Sequence, residues 1–200
     1  MRAQSQSIQP VRLLATMAGL VLSGAALAHP DHGEVIGFAA GFNHPVHGLD
    51  HLLAMLAVGV LAARAGGRMT WALPLSFILA MIAGAGLGLA GMATPGVEPM
   101  IAASVLVLGL LMAKAARVGV AVIPLVAVFA LFHGAAHGAA AAAGSELTGY
   151  FAGFTLATLA LHAIGVAMGY RLRDSLRRMR LAGVPVAVSG ALFMIQALAS

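Results

Sequence analysis

Long apolar stretches separated by short polar interruptions make up most of this 200-residue chain. They run unbroken instead of alternating, which argues against the strands of a transmembrane β-barrel. Six of them, at residues 35–63, 71–92, 97–113, 120–142, 150–170 and 181–199, approach or exceed the length of a membrane span. A helix needs about 20 residues to cross a ~30 Å hydrocarbon core. The interruptions hold turn formers such as Gly66-Gly67, Thr94-Pro95-Gly96 and Gly144-Ser145. The pattern predicts an all-α membrane protein, a six-transmembrane-helix bundle forming one domain over residues 29–200.

Residues 1–28 read differently. Arg2 and Arg12 flank a polar start, residues 13–22 form a short apolar core, and Ala26-Leu27-Ala28 resembles a signal-peptidase site. We expect a cleaved signal peptide, leaving His29 as the mature N-terminus outside the cytoplasm.

Composition narrows the class. Hydrophobic residues are 61% and charged residues 8%, where soluble chains carry about a quarter charged. Disorder needs the opposite balance. The chain has no cysteine, which removes thiolate metal sites, iron–sulfur clusters and a cysteine nucleophile.

The net charge of +5 invites a nucleic-acid reading, but the positions of the charges answer it. After residue 28, every Lys and Arg lies in the connections after segments one, three and five: Arg64 and Arg68, then Lys114 and Arg117, then Arg171, Arg173, Arg177, Arg178 and Arg180. The opposite connections carry Glu98 and Glu146. This is the positive-inside pattern of a multi-pass membrane protein. We expect it in the bacterial inner (cytoplasmic) membrane, with both mature termini periplasmic. The lipid bilayer is then a partner, the cluster at residues 171–180 faces anionic lipid, and nucleic acid is not a partner.

Gly-x-x-x-Gly pairs occur at Gly37/Gly41, Gly84/Gly88, Gly134/Gly138, Gly149/Gly153 and Gly165/Gly169. Small residues four apart let helices approach closely. We expect close packing within one bundle; a homo-oligomer interface is the other use of the same motif.

The candidate chemistry lies in residues that are expensive in hydrocarbon. An Asp at the centre of a spanning helix costs roughly 2.5–3.5 kcal/mol, and such residues usually line an ion or substrate path. The stretch Asn43-His44-Pro45-Val46-His47-Gly48-Leu49-Asp50-His51 places His44, His47 and His51 on one face if helical, with Asp50 bordering it. Pro45 disfavours a continuous helix, and a break would leave carbonyls free near His44. A helix beginning near Pro45 is the simpler alternative. A second cluster, Phe132-His133-Gly134-Ala135-Ala136-His137-Gly138, holds two histidines at i, i+4. His162 lies deeper, in segment five. Under the inferred topology both clusters occupy the outer half of the membrane, Glu98 opens segment three at the outer edge, and His162 sits near the midplane. Nitrogen and oxygen ligands thus run inward from outside, which suits the capture and descent of a divalent cation. Imidazole suits nickel, cobalt, zinc and copper(II). The eleven methionines are scattered and read as core filling, not as a copper(I) path. The two histidine motifs sit at different depths of their segments, so an internal inverted repeat is not supported.

The run His44-Pro45-Val46-His47-Gly48-Leu49-Asp50-His51 resembles the HPxxGxDH signature of the HupE/UreJ family. The signal-like start, the six segments and the run from Phe132 to Gly138 fit the same family. The resemblance implies a nickel permease that supplies hydrogenase or urease, with a cytoplasmic metallochaperone of that enzyme as a possible partner. It carries metal-path roles to His44, Asp50, His51, His133 and His137. Where the family often has an acidic residue after the second motif, residues 139–143 are all alanine. Either Glu146, a little further on, replaces it or the path differs. The resemblance supports nickel; ligand type alone leaves cobalt or zinc equally open. On this reading no cofactor is tightly bound. His29 and His32 capture metal, the two clusters pass it on, and His162 receives it.

Two other classes stay open. An intramembrane metal-dependent hydrolase or di-iron oxidoreductase has the imidazoles, but the chain lacks adjacent His-His pairs and a glutamate within either His-x-x-x-His. A metal-binding accessory protein for metalloenzyme assembly predicts binding without flux. No G-x-x-x-x-G-K-[ST] motif is present, so uptake driven by the membrane potential is favoured over a pump.

Overall fold

A computed structural model describes residues 37–92, 94–141 and 146–200. The expected signal peptide, its cleavage site and the capture residues His29 and His32 lie outside the described residues.

Among the described residues there are seven helices and no strand: α1 (Phe38–His47), α2 (Leu49–Ala65), α3 (Met69–Leu89), α4 (Val97–Ala113), α5 (Val122–Ala141), α6 (Leu147–Leu172) and α7 (Leu176–Ala199). Helices α3, α5, α6 and α7 are each long and apolar enough to cross a membrane. The α1–α2 pair passes the same test as one bent segment, while α4 is a shorter apolar helix of 17 residues. Where they are described, the helices run within a few residues of the expected segments, except at the last one. There α7 begins at Leu176, so Arg177, Arg178 and Arg180 lie on its first turns and not in a connection. Ser175 caps this end, its Oγ accepting the Arg178 N–H at 3.3 Å.

Polarity is distributed inside out relative to a soluble bundle. Trp71, Leu75, Leu79 and Ile82 form an exposed apolar stripe on α3, and Leu181, Val184, Val188 and Ile195 form one on α7. Meanwhile His51, His133, His137, His162, Ser104 and Thr158 are buried. Such a surface is stable only against lipid, where exposing apolar side chains costs nothing.

Within lipid no hydrophobic force pulls helices together, so close backbone contact must do so. The glycines supply it. Helices α3 and α5 interlock reciprocally: a Cβ on Gly84 would strike the Leu131 carbonyl, one on Gly134 the Met81 carbonyl, and one on Gly138 the Ala85 carbonyl. Helix α6 receives α1 at Gly153 and α2 at Gly165, while Gly41 of α1 and Gly59 of α2 return the contact. Helices α4 and α7 close in the same way through Gly109, Gly183 and Gly190. All five Gly-x-x-x-Gly pairs thus include a glycine used within the chain, as the sequence suggested.

One end of the bundle is tied by Arg64. Its guanidinium donates to Ala115 O at 2.6 Å, Ala116 O at 3.0 Å and Arg173 O at 3.4 Å. The three basic connections therefore converge at a single end, as the charge pattern required. The bonded carbonyls follow the C-terminal ends of α4 and α6, where a cation meets the negative end of each helix dipole.

Gly134→Ala should destabilise the folded bundle by about 1–3 kcal/mol, because α3 must move away. Gly86→Ala, whose added Cβ meets open space, should be neutral in the same thermal-unfolding measurement. Arg64→Gln should cost about 2 kcal/mol through its lost charged hydrogen bonds.

Candidate functional site

The first segment is broken, but not where proline suggested. Pro45 lies inside α1, and the chain turns at Gly48, which is extended (φ −77°, ψ 105°). The axes of α1 and α2 differ by 81°. The carbonyls expected to be free are occupied: Gly48 N–H donates to His44 O at 3.1 Å, and His47 Nδ1–H donates to Asn43 O at 2.9 Å. The single face shared by His44, His47 and His51 does not form, because the bend at Gly48 separates it. His47 is exposed, and among the described residues it has no ring contact with the other imidazoles.

The bend creates a new helix N-terminus inside the bundle. Asp50 lies in the first turn of α2, where the helix dipole favours a carboxylate. Its Oδ1 accepts both the His51 backbone N–H and the His51 Nδ1–H, each at 2.7 Å. Any side chain at Gly48 would crowd this pair, since a Cβ there would lie 3.1 Å from Asp50 Oδ1 and 3.3 Å from His51 Nδ1. Asp50 thus orients His51 in the manner of a carboxylate–histidine pair behind a metal.

The imidazoles form a file. His44, on the exposed side, lies edge-on to His137 with ring centroids 4.5 Å apart. His137 lies 4.8 Å from His51, and His51 lies 4.6 Å from His133. Beyond His133 comes the buried ring of Phe77 at 5.6 Å, and beyond that His162 at 5.0 Å from Phe77. So α1, α2 and α5 bring together His44, Asp50, His51, His133 and His137. His162 is separated from them by one phenyl ring. Glu98 is exposed in the first turn of α4 and has no hydrogen bond or ion pair to the file among the described residues. Glu146 makes no hydrogen bond or ion pair with the file among the described residues. Its carboxylate lies against Gly37 at the start of α1.

Two polar neighbours of the file, Tyr150 and Ser104, were not singled out from sequence, nor was the buried Thr158. Tyr150 Oη bridges His137 Nδ1 at 3.3 Å and His44 Nδ1 at 3.5 Å. Ser104 Oγ lies 3.0 Å from His133 Nε2. Thr158 packs on Met81 and bonds the Phe154 carbonyl at 3.0 Å. A lone hydroxyl in an otherwise apolar span was the available signal for Ser104.

Buried polar atoms without partners are costly, about 1–3 kcal/mol each. Here His51 Nε2, His133 Nδ1, His137 Nε2 and both nitrogens of His162 are buried with no hydrogen-bond partner. A bundle that needed histidine only for packing would pair these atoms. Among the described residues no three His, Asp or Glu side chains are gathered into a closed metal-ligand set. The rings form a bent file instead, in which His44 also lies 6.0 Å from His51.

The family model "HupE / UreJ protein" matches residues 16–193. The chain belongs to the HupE/UreJ family. Its similarity to Protein HupE of Rhizobium leguminosarum bv. viciae is 44% identity over 108 residues, covering 54% of this chain and 56% of that relative. The alignment therefore spans little more than half of the relative's length. No solved structure matches the chain. Membership of this family sets aside the hydrolase and oxidoreductase readings.

Burial fixes an order of reactivity. A histidine-acylating reagent applied to the protein in lipid, with modification read by mass spectrometry, should label His47 and His44 first. His51, His133, His137 and His162 should be protected by at least about tenfold, a gap of about 1.4 kcal/mol in access.

Proposed function

We propose that this HupE/UreJ protein is a metal permease of the bacterial inner membrane, carrying nickel from periplasm to cytoplasm. In this reading α1–α2 and α4 both count as spans, giving six in all. The mature termini are periplasmic, and the end tied by Arg64 is cytoplasmic. Cobalt and zinc are the competing ions that the imidazole ligands also suit. The metal is cargo, and the receiving enzyme is a hydrogenase or urease reached through a cytoplasmic metallochaperone. A homo-oligomer is compatible with this reading.

The observation that carries the reading is the file of buried imidazoles with unpartnered nitrogens. A permeating ion must find ligands good enough to replace water, yet never so complete that it stays. Partial ligand sets in series meet both conditions. Each step of about 5 Å lets the next ring enter the shell before the last one leaves. His44 and Tyr150 form the entrance, His137, His51 and His133 the middle, and Phe77 divides them from His162. The negative interior favours entry of a divalent cation by roughly 4.6 kcal/mol at ~100 mV, at ~2.3 per charge.

The test is nickel uptake in cells lacking other nickel importers. Asp50→Asn and His51→Ala should each reduce uptake at least about a hundredfold, the upper range for loss of metal-orienting partners, with membrane insertion unchanged. His47→Ala should retain uptake. Normal uptake in both Asp50→Asn and His51→Ala would remove this path.

A further inference from the structure

Ser104 stands outside both histidine motifs, and it is the one hydroxyl-bearing side chain of α4. It is fully buried. Its Oγ lies 2.6 Å from the Ile101 carbonyl on the preceding turn and 3.0 Å from His133 Nε2 on α5.

A serine hydroxyl has one proton, and a carbonyl oxygen can only accept. The contact with Ile101 therefore takes the Ser104 proton. The Oγ lone pairs are left facing His133 Nε2. Two lone pairs at 3.0 Å would repel, so Nε2 carries the imidazole proton and donates it to Oγ. A neutral imidazole has only one such proton, and the hydrogen bond at one nitrogen decides the state of the other. His133 Nδ1 is then a bare lone pair, buried and without a hydrogen-bond partner. Asp50 has the same effect on His51: it holds the proton on Nδ1 and leaves Nε2 bare.

We infer that Ser104 is a positioning residue for metal transfer: it locks His133 in the Nε2–H tautomer, so that Nδ1 is the nitrogen that receives the ion from His51. The two rings are 4.6 Å apart, and each presents one lone pair because a different neighbour occupies its other nitrogen. Without Ser104, His133 can carry its proton on either nitrogen, and the Nδ1–H form cannot bind a cation there. The inference deepens the permease reading and rests on it for what the lone pair binds. The tautomer itself does not depend on transport.

The experiment has two arms on the full chain in lipid. In the first, 15N-labelled histidine is observed by NMR, and the His133 signals are assigned by their loss in His133→Gln. The wild-type protein should show one species with the proton on Nε2. Ser104→Ala should show a mixture that includes the Nδ1–H form, and Ser104→Thr should restore the single species. In the second, Ser104→Ala should raise the half-saturating nickel concentration for uptake by about tenfold or more with a maximal rate near wild type, and Ser104→Thr should reverse this. Ser→Ala removes one oxygen and leaves the packing in place, so a purely structural role would move neither readout. A wild-type His133 protonated on Nδ1, or an unchanged half-saturation in Ser104→Ala, overturns the proposal. A wild-type chain that holds the Nε2–H form yet moves no metal refutes the permease reading instead.

Discussion

Contact between helix backbones at glycine is the constraint on which the rest of this bundle depends. Lipid is as apolar as leucine, so burying leucine brings no helices together. What does so is close approach, and here it occurs reciprocally between α3 and α5, between α1–α2 and α6, and between α4 and α7. Once these pairs close, their shared interior is narrow. The polar side chains that lipid rejects are forced into it, and His133 and His137 come to lie beside His51 and His44.

The bend at Gly48 is the second determinant. It turns one long apolar segment into two helices and sets a helix N-terminus at the depth of the histidines. That terminus stabilises Asp50, and Asp50 orients His51. A straight helix would have placed His47 in line with His44 and His51. The bend removes His47 and leaves room for α5 to supply His133 and His137. The same architecture explains why the histidines stand in a file: each comes from a different helix or turn.

Much of this was legible before any coordinates. Apolar length found the helices, and the Lys and Arg positions found the end at which Arg64 joins three connections. The clusters around Asp50 and His133 stood out because ionisable groups are rare in such segments. Other features were not legible, for physical reasons. Pro45 is the stronger helix breaker in isolation, yet the break fell at Gly48, where the Asp50–His51 pair needs the space that a side chain would fill. Glu146 was near enough in sequence to join the cluster, but the chain carries it to the start of α1. Ser104, Tyr150 and Phe77 act through contacts with other helices, and periodicity along one helix holds no record of those.

The central claim is that the file of imidazoles conducts an ion. The most direct measurement is influx into vesicles containing the purified full chain, with a nickel-responsive dye inside and an imposed inside-negative potential. Saturable influx that grows with the potential, and that cobalt and zinc reduce by competition, is the result this account predicts. Binding of nickel at a fixed ratio to protein with no influx would contradict it, and would make the chain a metal-holding accessory protein.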